Sequence, residues 1–395
     1  MALGLLLPLS EKSMEVFGFL QKLIINIGMY SIFPLVFFSM GIGIFELKKD
    51  GKVLSFTLRI ILYLIITTVF MALLGVISVQ LFSPDLIPDL KMEPADYKLM
   101  SLSDYAFSAF PENTFSIFSS KGFYMLPIYL FAFALGLNFS FDKVVTRPAV
   151  QLFDSLSRIL FNLNKYIVEF LSIGMIILTA FFFFQIRSAK EISLFKQLIL
   201  LFAVNSVIII FGLLPLLTYF LGKKENPYKL LYGSVTVLTA AFFSGNSYFT
   251  LPLISRTGKK NIGIPRKAGA LSYPLFVMFG RAGTAMITGI SFILVIKSYS
   301  SMYINFNSLL WTCAFSILIS FLTGAIPANG TFFAVAIMCS LFSPETEKYY
   351  LILKPAIPLL ISFSALIDSA VMVFATALAS KHEKMLEERE IKDFV

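Results

Sequence analysis

The sequence predicts an all-α multi-pass membrane protein, and three observations carry that reading. The 395 residues are 57% hydrophobic and only 14% charged, with a mean hydropathy of +0.84, a balance outside that of soluble globular domains. Apolar stretches of roughly 20 residues or more recur along the chain, long enough to cross about 30 Å of hydrocarbon as helices. The period-two alternation of β-strands is absent, so a β-barrel is not expected.

Taken in order, apolar spans are expected at 15 to 46, 54 to 83, 122 to 140, 157 to 186 and 195 to 221, each bounded by charges or turn residues. The second half is less regular. From Leu230 to Thr257 an apolar run is interrupted by Ser244, Gly245, Asn246 and Ser247, with Pro252 soon after. Ala268 to Lys297 reads as a span, Leu309 to Phe342 is interrupted by Pro327, Ala328, Asn329 and Gly330, and Tyr349 to Ala379 reads as the last span. Polar, helix-breaking backbone at bilayer depth is tolerated only where it is buried in protein or lines a cavity, because lipid offers no hydrogen-bond partner. One Pro kink is common packing practice in membrane helices. Two interrupted segments at corresponding positions point instead to re-entrant hairpins around a solute site.

The net charge of +9 does not point to nucleic acid, because the Lys and Arg residues sit in short clusters between apolar spans. Lys48, Lys49 and Lys52; Lys143 and Arg147; Lys223, Lys224 and Lys229; Arg256 to Lys267; and Lys381, Lys384 and Arg389 are expected on the cytoplasmic side of the cell membrane, with the C-terminus. The acidic connection with Asp85, Asp89, Glu93, Asp96 and Asp104 falls on the opposite side if each hairpin enters and leaves by one face. Cys313 and Cys339 lie in apolar segments and the one histidine, His382, lies where the last span ends, so neither a disulfide framework, a metal site, a cofactor site nor a catalytic constellation is expected.

Several segments, in order, resemble the dicarboxylate/amino acid:cation symporters, which include the prokaryotic and neuronal glutamate transporters. PLVFFSMGIGI (Pro34 to Ile44) looks like that family's second helix and YLIITTVFMALLG (Tyr63 to Gly75) like its third. FPENTF (Phe110 to Phe115) resembles the start of helix four, and FDSLSRILF (Phe153 to Phe161) that of helix five. AFFSGNSYFTLPL (Ala241 to Leu253) is similar to hairpin one, GRAGTAM (Gly280 to Met286) occupies the place of the N-M-D-G-T signature of helix seven, IPANG (Ile326 to Gly330) is similar to the tip of hairpin two, and IDSAVMVFATALASKHE (Ile367 to Glu383) runs parallel to helix eight.

The resemblance implies a glutamate-transporter-like elevator fold with two re-entrant helical hairpins, assembled as a homotrimer. It implies scaffold over 1–53 and 84–194, transport-domain helix three at 54–83, a transport-domain core at 195–383 and a charged tail at 384–395. MALGLLLPLS is too short to span and resembles only the tail of the family's first helix, so either the chain starts further upstream or the scaffold lacks that element; with no basic region before it, a cleaved signal peptide is not expected.

The same resemblance locates departures in the binding chemistry. The family's helix-seven asparagine, methionine and aspartate fall at Gly280, Arg281 and Ala282, while its glycine and threonine persist as Gly283 and Thr284. In helix eight, the substrate-binding aspartate and arginine fall at Ile361 and Ser364, the asparagine at Asp368 and the sodium-ligating aspartate at Met372. Hard cations need several oxygen ligands, commonly with carboxylate charge. Thr67 and Thr68 remain, but two hydroxyls without those carboxylates make a poor sodium site, so sodium coupling is expected to be lost or strongly altered, with proton coupling an alternative.

Arg281 and Asp368 are ionisable residues at membrane depth, where such groups are usually paired or functional. One reading has Arg281 pair with Asp368 and stand in for a bound sodium, holding without an ion the helix-seven break that the resemblance implies; the other has Arg281 face the pocket and bind an anionic solute through its guanidinium. Pairing is the preferred of the two, because an unpaired Asp368 would have to take up a proton. The solute is expected to meet Ser244, Gly245, Asn246, Ser247, Thr284, Ser364 and the backbone around Ala328, Asn329 and Gly330, which suits a small carboxylate or an amino acid. Cation-site remnants are Thr67, Thr68, Gly280 and Asp368. The reading is of a secondary active transporter; a sodium- or proton-coupled dicarboxylate or glutamate symporter with rearranged sites is the first alternative, and a non-transporting homologue or an anion-conducting channel the second.

Overall fold

The computed structural model describes residues 11–88, 110–111, 113, 116–119, 125–142, 144–189, 191–222, 226–299, 305–325 and 330–394. Among these the regular structure is entirely helical. Helices are α1 (Glu11–Met29), α2 (Ile32–Lys49), α3 (Val53–Leu81), α4 (Leu126–Asn138), α5 (Arg147–Ser188), α6 (Ile192–Leu221), α7 (Pro227–Ser244), α8 (Thr250–Thr257), α9 (Arg266–Phe279), α10 (Ala282–Tyr299), α11 (Phe306–Leu322), α12 (Gly330–Phe342) and α13 (Ile357–His382). Among the described residues, six helical segments are long and apolar enough to cross a membrane. This is an all-α multi-pass membrane protein.

Three expected spans are built differently, each for a local reason. The span at 15 to 46 is two helices parted at Tyr30 and Ser31. Pro34 lacks the N–H that would bond the Tyr30 carbonyl one turn back, so the ladder opens there. The span at 157 to 186 starts ten residues earlier, at Arg147, with Pro148 in its first turn, where a missing N–H costs nothing. The span at 268 to 297 is broken into α9 and α10 at Gly280 and Arg281.

α3 is 29 residues long, about 43 Å at 1.5 Å per residue, so its ends lie at opposite ends of the bundle. At its first end, Lys52 Nζ donates to the Glu383 carbonyl and Arg59 pairs with Glu383 at 3.1 Å. There too, Lys267 pairs with Asp50, and Arg266 holds Asp154 at 2.6 Å and Glu46 at 3.2 Å. This is the basic end, formed by the C-termini of α2 and α13 and the N-termini of α3, α5 and α9. At the other end, Asp85 N–H donates to Gln197 Oε1 at 2.7 Å and Ile87 N–H to Ser298 Oγ at 3.0 Å, bringing together the end of α3, the start of α6 and the end of α10. Lys143, Lys223, Lys224, Asp89, Glu93, Asp96 and Asp104 lie outside the described residues.

The centre is α10 and α13. Every residue of α10 from Ala282 to Ile296 is buried, as expected for a helix apolar on all sides. α10 lies along α3, where Gly75 lets the backbones close: a Cβ there would sit 2.8 Å from the Met286 carbonyl oxygen. α1, α2, α4 and α5 pack on one another, and α2 meets α9 where Gly43 faces Ala270 and Lys267.

Candidate functional site between two hairpins and a broken helix

α7 and α8 form a hairpin based at the basic end, where Asn261 donates to the Gly233 carbonyl at 3.2 Å and Arg256 pairs with Glu169 at 3.4 Å. α11 and α12 form the second, entering from the opposite end, where Trp311 and Phe342 pack on Phe292. The two meet inside the bundle: Tyr248 hydroxyl, just past the first tip, donates to the Gly324 carbonyl at 2.6 Å.

The first tip is dictated by its four residues. α7 ends at Ser244, whose hydroxyl returns to the Ala240 carbonyl at 2.6 Å. Gly245 then takes φ 60° and ψ 22°, the left-handed cap that glycine adopts at least cost, and a Cβ would also press on Ile361 at 3.0 Å. Asn246 Oδ1 accepts the N–H groups of Tyr248 at 2.9 Å and Phe249 at 3.4 Å, capping the turn into α8. Ser247 is buried, with its hydroxyl 3.5 Å from Arg281 Nη1.

The broken helix supplies the charges. Gly280 and Arg281 have left the helical path, and α10 restarts at Ala282 with the unpaired N–H groups of a helix start. Asp368, from the middle of α13, takes them: Oδ1 accepts Gly283 N–H at 2.7 Å and Thr284 N–H at 3.3 Å, and Oδ2 accepts the Thr284 hydroxyl at 2.9 Å. A carboxylate there also favours the positive end of the helix dipole. The approach depends on Gly283, since a Cβ would stand 2.5 Å from the Ser364 carbonyl oxygen.

Arg281 is only 5% exposed. Its Nη1 lies 3.9 Å from Asp368 Oδ2, an offset ion pair rather than a hydrogen-bonded fork, and the guanidinium sits 6.0 Å over the Tyr248 ring. Nε and Nη2 have no hydrogen-bond partner among the described residues.

The remaining candidates divide. Ser364 shares a 2.7 Å hydrogen bond with Thr331, tying α13 to the second arm of hairpin two. Gly330 starts that arm, while Ala328 and Asn329 lie outside the described residues. Thr67 donates to the Tyr63 carbonyl at 2.7 Å and Thr68 to the Leu64 carbonyl at 2.8 Å, so both hydroxyl protons bond within their own helix. Tyr248, Gly324 and Thr331 were not among the sequence candidates. Tyr248 carried a signal, as the aromatic residue following the interrupted tetrad; Gly324 acts through its backbone and has none.

A helical membrane bundle in which two opposed hairpins close on a broken helix with a buried cation defines a protein built around an internal polar site. Residues 1–379 match the sodium:dicarboxylate symporter family, and the chain belongs to that family, which is one of transporters and not of enzymes. Over 238 residues it is 25% identical to the neutral amino acid transporter B(0) of Mus musculus, covering 59% of this chain and 42% of that protein. Over 241 residues it is 24% identical to the excitatory amino acid transporter 4 of Mus musculus, covering 60% and 42%. A shorter match to the neutral amino acid transporter B(0) of Homo sapiens reaches 32% over 124 residues, 31% of this chain and 22% of that protein. The matched region thus spans less than half the length of these relatives.

Proposed function

We propose that the protein is a secondary active transporter that carries a small organic solute bearing a carboxylate, bound at Arg281 between the two hairpins and moved by an elevator displacement of the hairpin-bearing part of the bundle. The observation that supports this reading is the half-used guanidinium of Arg281. A buried cation with Nε and Nη2 unpartnered among the described residues is costly, and a planar carboxylate matches the edge that those two nitrogens present. The two readings of Arg281 are compatible on this view: Nη1 faces Asp368 and Ser247, and the Nε–Nη2 edge faces the solute.

Sodium coupling is proposed to be lost or altered. Ala282 and Met372 carry no oxygen in their side chains, so the site lacks two carboxylates, and Asp368 is committed to the start of α10. Trimeric assembly, with α1, α2, α4 and α5 as scaffold, is supported by family membership.

The test is uptake into proteoliposomes. Carboxylate uptake that saturates, shows counterflow and is unchanged when sodium is exchanged for N-methylglucamine at fixed ionic strength is the expected result, with Arg281→Met lowering it at least tenfold. Uptake that rises steeply with sodium would overturn the coupling claim; flux without saturation or counterflow would mark a channel.

A further inference from the structure

Outside the solute site, the outer face of the bundle between α6 and α7 carries an amphipathic slot. α6 contains a π-helical stretch, Ile208–Leu213, and π segments recur where a helix is shaped for function. Tyr228, at the start of α7, donates its hydroxyl to the Phe211 carbonyl in that stretch at 3.1 Å. From Tyr228 an apolar groove of about 450 Å³ runs along the two helices, walled by Phe211, Leu231, Val235 and Phe242. Its wall faces outward, with Phe211 55% and Val235 45% exposed.

Towards the basic end two further cavities adjoin the groove. Tyr228 is also part of the wall of a second cavity, which shares Asn226 and Pro227 with a third of about 200 Å³. That third cavity is bounded by Lys229, Lys381, Lys384 and Arg389 against two acids, Glu387 and Glu388, and Glu387 is paired with Arg389. Four bases and two acids leave two positive charges in excess. Between charge and groove stand Tyr219 and Tyr228, with Tyr232 in the groove wall, the residue type that concentrates where membrane meets water.

We infer that this slot binds an anionic glycerophospholipid, with its phosphate among Lys229 and Lys384 and an acyl chain along the groove between α6 and α7. Charge complementarity selects the headgroup, and the succession of basic cavity, tyrosines and apolar trough along neighbouring residues matches such a lipid end to end. A soluble anion would use the cavity and leave the trough empty. Because α7 is the first arm of hairpin one, a lipid seated here braces the hairpin from outside.

The experiment is lipid binding to the purified full-length protein in detergent, read by native mass spectrometry and by thermal unfolding. The probes are phosphatidylglycerol, phosphatidylcholine with the same chains, and inorganic phosphate. The expected result is at least tenfold tighter binding of phosphatidylglycerol than of phosphatidylcholine, reduced to parity by Lys229→Gln with Lys384→Gln. Val235→Trp, which fills the trough at an exposed position, is expected to weaken phosphatidylglycerol at least fivefold, and it tests the site should the lysine variant fail to fold. Equal binding of the two lipids, phosphate matching the whole effect, or Val235→Trp leaving phosphatidylglycerol binding unchanged would each overturn the inference.

Discussion

Asp368 reaches from the middle of one helix to start another: its Oδ1 accepts the Gly283 N–H at 2.7 Å, 85 residues away in sequence. With Thr284 it supplies three hydrogen bonds to the first turn of α10, and only afterwards, at 3.9 Å, does it face Arg281. The carboxylate is therefore both the cap of the broken helix and the counter-charge of the buried arginine.

Two costs are predicted to separate on mutation. Asp368→Ala removes the cap and strands buried N–H groups, and is expected to cost about 2 to 4 kcal/mol. Asp368→Asn keeps an acceptor but leaves Arg281 uncompensated, and combining it with Arg281→Met is expected to recover about 1 to 3 kcal/mol relative to the sum of the single changes. Thermal unfolding in detergent measures the cycle; additive losses would remove the pair from the account.

Gly324 lets hairpin two close on the broken helix. A Cβ would lie 1.9 Å from the Met278 carbonyl oxygen, a backbone atom just before the break. Gly324→Ala is expected to displace the hairpin arm, lower stability by more than about 2 kcal/mol and abolish uptake. Gly18→Ala is the control: its Cβ meets only the Phe181 ring at ordinary contact distance, and it is expected to leave both readouts intact.

The link between hairpins is one hydroxyl. Tyr248→Phe removes the 2.6 Å bond to the Gly324 carbonyl while keeping the ring over Arg281. The expected loss of about 1 to 1.5 kcal/mol corresponds to roughly tenfold faster amide exchange in the turn Thr323–Ala325, measured by hydrogen–deuterium exchange. Unchanged exchange would mean that the hairpins hold together by other means.

Arg266 carries the contact of α9 with α2 and α5 through Glu46 and Asp154. Arg266→Met is expected to cost about 1 to 2 kcal/mol and to flatten the dependence of stability on salt, whereas Arg158→Met, whose partner pair is exposed, is expected to cost about 0.5 kcal/mol or less. Melting curves at low and high ionic strength check both.

Much of this arrangement was legible in the sequence where it rests on local chemistry. A serine-glycine-asparagine-serine tetrad inside an apolar run can only be a break, and its glycine and asparagine do cap the two arms of hairpin one. The break at Gly280 and Arg281 is not legible in the apolar pattern, because the flanks of Gly-Arg-Ala-Gly are apolar enough to read as one span; only the resemblance of that segment to the helix-seven signature implied it. The kink at Tyr30 was hidden likewise, although Pro34 carried the signal. What spacing could not supply were the partnerships across the fold: Asp368 with Gly283, Thr331 with Ser364, and Tyr248 with a backbone carbonyl. Those depend on how α13 seats between two hairpins, which no local pattern encodes.

The central claim is that the unpartnered edge of Arg281 takes a carboxylate, and a thermal-shift titration tests it most directly. Wild-type and Arg281→Met proteins are melted with succinate, glutamate, alanine and an uncharged amide, each with and without sodium. Binding to the native state alone adds about 2.7 kcal/mol at a hundred times Kd. At least one carboxylate is predicted to raise the wild-type Tm without sodium and to leave Arg281→Met unmoved; equal shifts in both proteins, or stabilisation by sodium alone, would contradict the account.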